Sequence, residues 1–177
     1  MPGLKPPFNE KDHFRGNRSA PVQLLEYGDF QCPHCGAAHP VLKEIEKKYG
    51  SRFVFIFRHF PLTEVHPFAR LAAVASEAAA RQRKFWEMHD LIFENQDLLD
   101  REMLIRLARF LHMDPKSFQT DLEDPRLFET VESNFESGII SGVNGTPSFY
   151  INGDKYNGPY SFQSLTHALD QAMMVNP

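Results

Sequence analysis

Apolar positions change their spacing several times along the chain. Val22 to Tyr27 (VQLLEY) is a short, mostly apolar run between Pro21 and Gly28-Asp29, the pattern of a buried strand. From Pro33 the period lengthens. Ala38, Leu42, Ile45 and Tyr49 recur at spacings of four, three and four, and the pattern stops at Gly50, which predicts a helix. Pro40 falls inside that helix and predicts a kink. Phe53 to Phe57 (FVFIF) is apolar without alternation, as in a strand covered on both faces. Strand, helix and strand in this order predict a right-handed βαβ unit.

Residues 67 to 138 are different in character. HPFARLAAVASEAAA, FWEMHDLIFEN and MLIRLARFL carry apolar residues at helical spacing, and Asp114-Pro115 and Asp124-Pro125 each offer an N-cap followed by proline. After Gly138 the sheet pattern returns. Ser148 to Ile151, a turn at Asn152-Gly153-Asp154 and Lys155 to Asn157 predict a hairpin, and Ser161 caps a last helix with Phe162, Leu165 and Leu169 inward. Residues 1 to 21, rich in proline and charge, are expected to form an irregular arm over the body. The division is thus an arm (1–21), a first core segment (22–66), a helical insertion (67–138) and a second core segment (139–177).

A chain of 177 residues can bury one sizeable core, and a monomer is expected. The net charge of −4, with lysine and arginine scattered, gives no basic stripe for nucleic acid or an anionic membrane. No stretch approaches the roughly 20 apolar residues that cross a bilayer. The N-terminal segment has no apolar core of a secretory signal, so the sequence as given predicts a cytoplasmic protein, or an extracytoplasmic one if a leader was removed.

The two cysteines lie three positions apart, Cys32-Pro33-His34-Cys35, directly after the first strand and at the start of a helix. That context makes a CxxC a redox motif. Unpaired N–H groups and the positive end of the helix dipole favour a thiolate, which makes Cys32 the expected nucleophile. Cys35, one turn further in, is placed to resolve a mixed disulfide. Pro33 preorganises the first helical turn, and the imidazole of His34 beside Cys32 would stabilise the thiolate further. The rival reading is a zinc site completed by His34, His39 or His13, but no second ligand pair occurs at recognisable spacing, so no metal is expected. His59, His66, His89 and His112 are scattered and read as core or surface residues. Phe30 and the insertion above it are candidates for an exposed peptide-binding surface. Thr146-Pro147 lies between a glycine-rich turn and a strand, where proline is allowed by geometry and the trans isomer is the base-rate expectation.

VQLLEYGDFQCPHCGAAHP resembles the DsbA-like branch of the thioredoxin superfamily, and FRHFPL, HPFARLAA and FWEMHDLIF are similar to segments of bacterial members. The resemblance spans nearly the whole chain from Val22. It implies an α/β thioredoxin fold, a central mixed sheet flanked by helices, with an inserted helical subdomain. It also implies a cis bond at Thr146-Pro147, whose loop lies against the cysteines and pairs with an extended peptide. Glu26, six residues before Cys32, matches a buried acid that assists proton transfer to the inner thiol; as a bare sequence position it could equally face solvent at a sheet edge. The activity implied is thiol:disulfide exchange with protein or peptide substrates, needing no bound cofactor and a redox partner that recycles the pair. Oxidation, reduction and isomerisation are left open. The alternative is a redox-inactive or zinc-binding interaction module on the same fold.

Overall fold

The structure, a computed structural model, describes residues 3–175. Strands β1 (His13–Gly16), β2 (Val22–Gly28), β3 (Phe53–His59), β4 (Ser148–Ile151) and β5 (Asp154–Tyr156) form one sheet in the order β1-β3-β2-β4-β5. Only β2 and β3 are parallel, joined through helix α1 (Pro33–Tyr49); the other neighbours pair antiparallel. Helices α2 (Ala69–Arg81), α3 (Phe85–Glu94), α4 (Arg101–Phe110), α5 (Pro115–Asp121) and α6 (Pro125–Ser141) lie between β3 and β4, and α7 (Phe162–Val175) ends the described chain. This is the thioredoxin arrangement with a helical insertion.

Alternation along the strands sorts the sheet into two faces. Leu24, Phe55, Phe57, Phe149 and Ile151 belong to the larger core cluster, shared with α1, α7 and the insertion. Leu25, Tyr27, Val54, Ile56 and Tyr150 form the second, against which Leu4, Phe8, Phe14 and Phe135 pack. All seven residues of β3 are buried, as its continuous apolar run requires.

Local signals hold where they were strongest. The β4–β5 turn uses Asn152 and Gly153, both with positive φ, as a two-residue hairpin demands. Asp114 and Asp124 accept the N–H groups of Ser117 and Arg126 as N-caps, each before a proline, and Ser161 accepts that of Ser164. Helix α1 continues through Pro40. The first segment departs from expectation. Far from being wholly irregular, it contributes strand β1 to the sheet edge, and Arg58 on β3 binds its Asp12 carboxylate and its Pro6 and Pro7 carbonyls.

Candidate active site

Cys32 is the N-cap of α1, with Pro33 opening the first turn. Its N–H donates to the Asp29 carbonyl at 3.1 Å, and its carbonyl accepts the Gly36 N–H at 3.1 Å. Both thiols are free and nearly enclosed, Cys32 at 4 % and Cys35 at 1 % exposure, whereas Pro33 and His34 are exposed. The motif thus offers its middle two residues to solvent and keeps its sulphurs within.

The two sulphurs are driven in opposite directions. A hydrogen bond from the Cys35 thiol is the largest influence on Cys32; burial opposes it, but the Thr146 side chain and the N–H groups of Cys35 and His34 add to it, and the Cys32 pKa falls to about 5. Cys35 is held well above the usual thiol range by burial first, then by its bond to Cys32 and by the nearby Glu26. At neutral pH the pair therefore carries its negative charge on Cys32.

Glu26 lies on β2, the central strand, and is 1 % exposed, so it is not at a sheet edge. Burial raises its pKa to about 8, against partial relief from a hydrogen bond with the Cys35 thiol. A proton is thus stored beside the inner sulphur.

The Thr146–Pro147 bond is cis, and the Thr146 carbonyl lies 3.4 Å from the Cys32 sulphur, where it accepts the proton of Cys32 in the thiol form. Ser148 pairs with Tyr27 of β2 and bonds the Gly145 carbonyl at 2.7 Å, which pins the loop across from the cysteines. The His34 ring pairs through Nδ1 with the Tyr160 hydroxyl at 3.1 Å.

Phe30 corrects an expectation: it is 1 % exposed, wedged among Phe57, Phe93 and His89, and supports the loop from below instead of presenting a binding surface. Next to Pro33 lies a groove of about 580 Å³ whose lining mixes Gly36, Ala37, Phe93 and the exposed Leu98 with the polar Glu94, Asn95, Gln96 and Asp97.

Two residues that sequence reasoning passed over hold the cysteine loop. The buried Asp29 carboxylate accepts the N–H groups of Gln31 (2.7 Å) and Leu62 (2.8 Å) and pairs with His66 Nδ1 (2.8 Å). Gln96, in the turn after α3, donates its amide to the carbonyls of Phe30 (2.9 Å) and Cys32 (2.8 Å). Gly36 carried a signal for this: a helical glycine costs about 1 kcal/mol against alanine, and a Cβ there would run into the Gln96 side-chain oxygen.

The histidines weighed for a zinc site lie apart in the fold, and the buried Nε2 of His39 has no hydrogen-bond partner among the described residues. His13 stacks on Phe85 and bonds Glu77, and His39 stacks on Phe93. Among the described residues His39, His89 and Asp90 bring potential ligand atoms together, but both Asp90 oxygens accept from Arg15.

The thioredoxin family profile matches residues 8–171. Among curated relatives, the chain is 44 % identical over 163 residues to the Na(+)/H(+) antiporter NhaA 3 of Salinispora tropica, covering 92 % of this chain and 25 % of that protein. It is 38 % identical to NhaA 1 of Mycolicibacterium vanbaalenii, covering 94 % and 27 %. The chain thus spans about a quarter of the length of these relatives. Among solved structures, α-DsbA1 of Wolbachia pipientis superposes with a TM-score of 0.85 at 24 % identity, over 97 % of this chain and 95 % of that one. Oxidised BdbD of Bacillus subtilis gives 0.84 at 23 %, over 95 % and 96 %.

Proposed function

Because the chain belongs to the thioredoxin family, we propose that it is a thiol:disulfide oxidoreductase that takes electrons from protein or peptide dithiols through Cys32 and Cys35. The observation that carries this reading is the contrast between the two sulphurs: one is poised as a thiolate at the start of α1, and its neighbour is buried as a thiol beside a protonated carboxyl.

In the oxidised protein a substrate thiolate attacks the Cys32 sulphur. The Cys32–Cys35 bond breaks, and the electron pair leaves on Cys35, which takes the proton held by Glu26. A second substrate thiolate then attacks the substrate sulphur of the mixed disulfide, and Cys32 departs as a thiolate. The substrate has lost two electrons and gained a disulfide; the protein pair has been reduced. Stabilising the Cys32 thiolate stabilises the reduced form and so favours oxidation of the substrate. The Thr146-Pro147 loop supplies backbone groups to an extended substrate strand. A separate redox partner reoxidises the pair.

The antiporter name belongs to proteins of which this chain matches about a quarter. Among the described residues no helix is long and apolar enough to cross a membrane. We assign ion transport to the remainder of those relatives and redox chemistry to the part shared here.

The test is the reduction potential of the Cys32/Cys35 pair, read by trapping thiols after equilibration in graded glutathione buffers. A value nearer about −120 mV than about −270 mV is expected. A value at the reducing end would reverse the direction, and a pair that never forms a reversible disulfide would overturn the activity itself.

A further inference from the structure

The segment between β5 and α7, Asn157-Gly158-Pro159-Tyr160-Ser161, supplies nothing that the exchange steps use, yet it is built around one contact. The Tyr156 hydroxyl donates to the Pro159 carbonyl at 2.8 Å. Gly158 permits this, because a Cβ there would run into that hydroxyl. On the other side Ser161 accepts the Ser164 N–H at 3.2 Å and fixes the start of α7. Between these anchors Tyr160 is half-buried, with its ring packed on the larger core cluster. Its hydroxyl is therefore presented from a fixed support, and at 3.1 Å it meets Nδ1 of His34, the exposed residue between the two cysteines.

We infer that Tyr160 is a positioning residue for the redox pair: it holds the His34 imidazole by Nδ1, withholds that nitrogen from the Cys32 sulphur, and so moderates the oxidising strength of the motif. The inference rests on the thiol–disulfide reading given above. Its physics is a difference between two redox states. An imidazole N–H bonded to a thiolate is charge-assisted and roughly twice as strong as a neutral pair. A disulfide sulphur carries no charge to accept it, so such a bond stabilises only the reduced form. Committing Nδ1 to a neutral phenol removes that contribution. The same four-residue motif without Tyr160 would then be the stronger oxidant.

Tyr160→Phe keeps the ring in the core and deletes only the hydroxyl. Two readouts decide: the pH dependence of Cys32 alkylation by iodoacetamide in the reduced protein, and the glutathione equilibrium of the pair. In the variant the alkylation midpoint is expected to move to lower pH. The equilibrium should move about tenfold toward reduced protein, equivalent to about 30 mV for a two-electron couple. In a His34→Ala background the same substitution should move neither. Unchanged readouts in Tyr160→Phe, a shift of opposite sign, or an equal shift without His34 would each overturn the inference. If the wild-type pair does not equilibrate with glutathione, the exchange reading fails on its own, and the alkylation profile still decides the role of Tyr160.

Discussion

Glu26 keeps a proton in the folded chain over a pH range in which the unfolded chain has already lost it. Its pKa rises from 4.5 to about 8 on burial, so across that window folding is linked to proton uptake. Stability contributed by this group is complete below pH 4.5 and falls by about 1.4 kcal/mol per pH unit as the pH rises, until the folded carboxyl ionises near 8. Glu77 works the other way. Burial alone would raise its pKa, but hydrogen bonds from His13 and His59 hold it at about 2, so its contribution is lost only as the pH falls below 4.5 toward that value. Glu26→Gln preserves the shape and removes the titration. In the reduced protein the Cys32 thiol, lowered from 9.0 to about 5, contributes the opposite slope over the same window, so the Glu26 effect is read as a difference: in urea unfolding at a series of pH values Glu26→Gln should gain stability relative to the wild type as the pH rises from 5 to 8. The cysteine pair was legible in the sequence because its spacing and its place after a strand are local signals, whereas the cis bond at Pro147 followed only from the family resemblance. Tyr160 and Gln96 were not, since they reach the motif from 126 and 64 residues away, and no local pattern records such contacts.

At the scale of elements, the insertion and helix α1 meet through Gln96, and Gly36 makes room for it. Gly36→Ala should raise intrinsic helix propensity by about 1 kcal/mol, yet it forces the Gln96 amide off the carbonyls of Phe30 and Cys32. The expected result is a lower unfolding midpoint despite the better helix former, with faster proteolysis in the turn Gln96–Leu98. A higher midpoint would show that the clamp contributes little. The longer elements were legible because each repeats its signal: β3 is apolar throughout, α1 keeps its period for four turns, and aspartate before proline marks the starts of α5 and α6. Strand β1 was not. Its four residues, His13-Phe14-Arg15-Gly16, are only half-covered and carry no alternation long enough to read. Its place is set by partners elsewhere: Arg15 binds Glu46 and Asp90, and the Trp86 indole donates to the Phe14 carbonyl.

At the scale of the whole molecule, the segment from Leu4 to Phe14 completes the second core. Leu4, Phe8 and Phe14 pack on the face formed by Leu25, Tyr27, Ile56 and Tyr150, and Asp12 neutralises the buried Arg58. Removing one partner of such a pair costs about 3–5 kcal/mol, so this segment belongs to the folding unit. The sheet has two edges, and β1 guards the one at β3; the other, β5, is three residues long and begins at an exposed aspartate. A chain cleaved after Gly16 and stripped of the segment before it would bare the stretch Val54–Phe57 of β3 that pairs with β1, four consecutive buried residues with their donors and acceptors on that side unspent. Such a protein should assemble strand upon strand into large species visible by light scattering, while the intact chain at the same concentration remains dispersed. The arm is, in this sense, the molecule's own stopper against polymerisation.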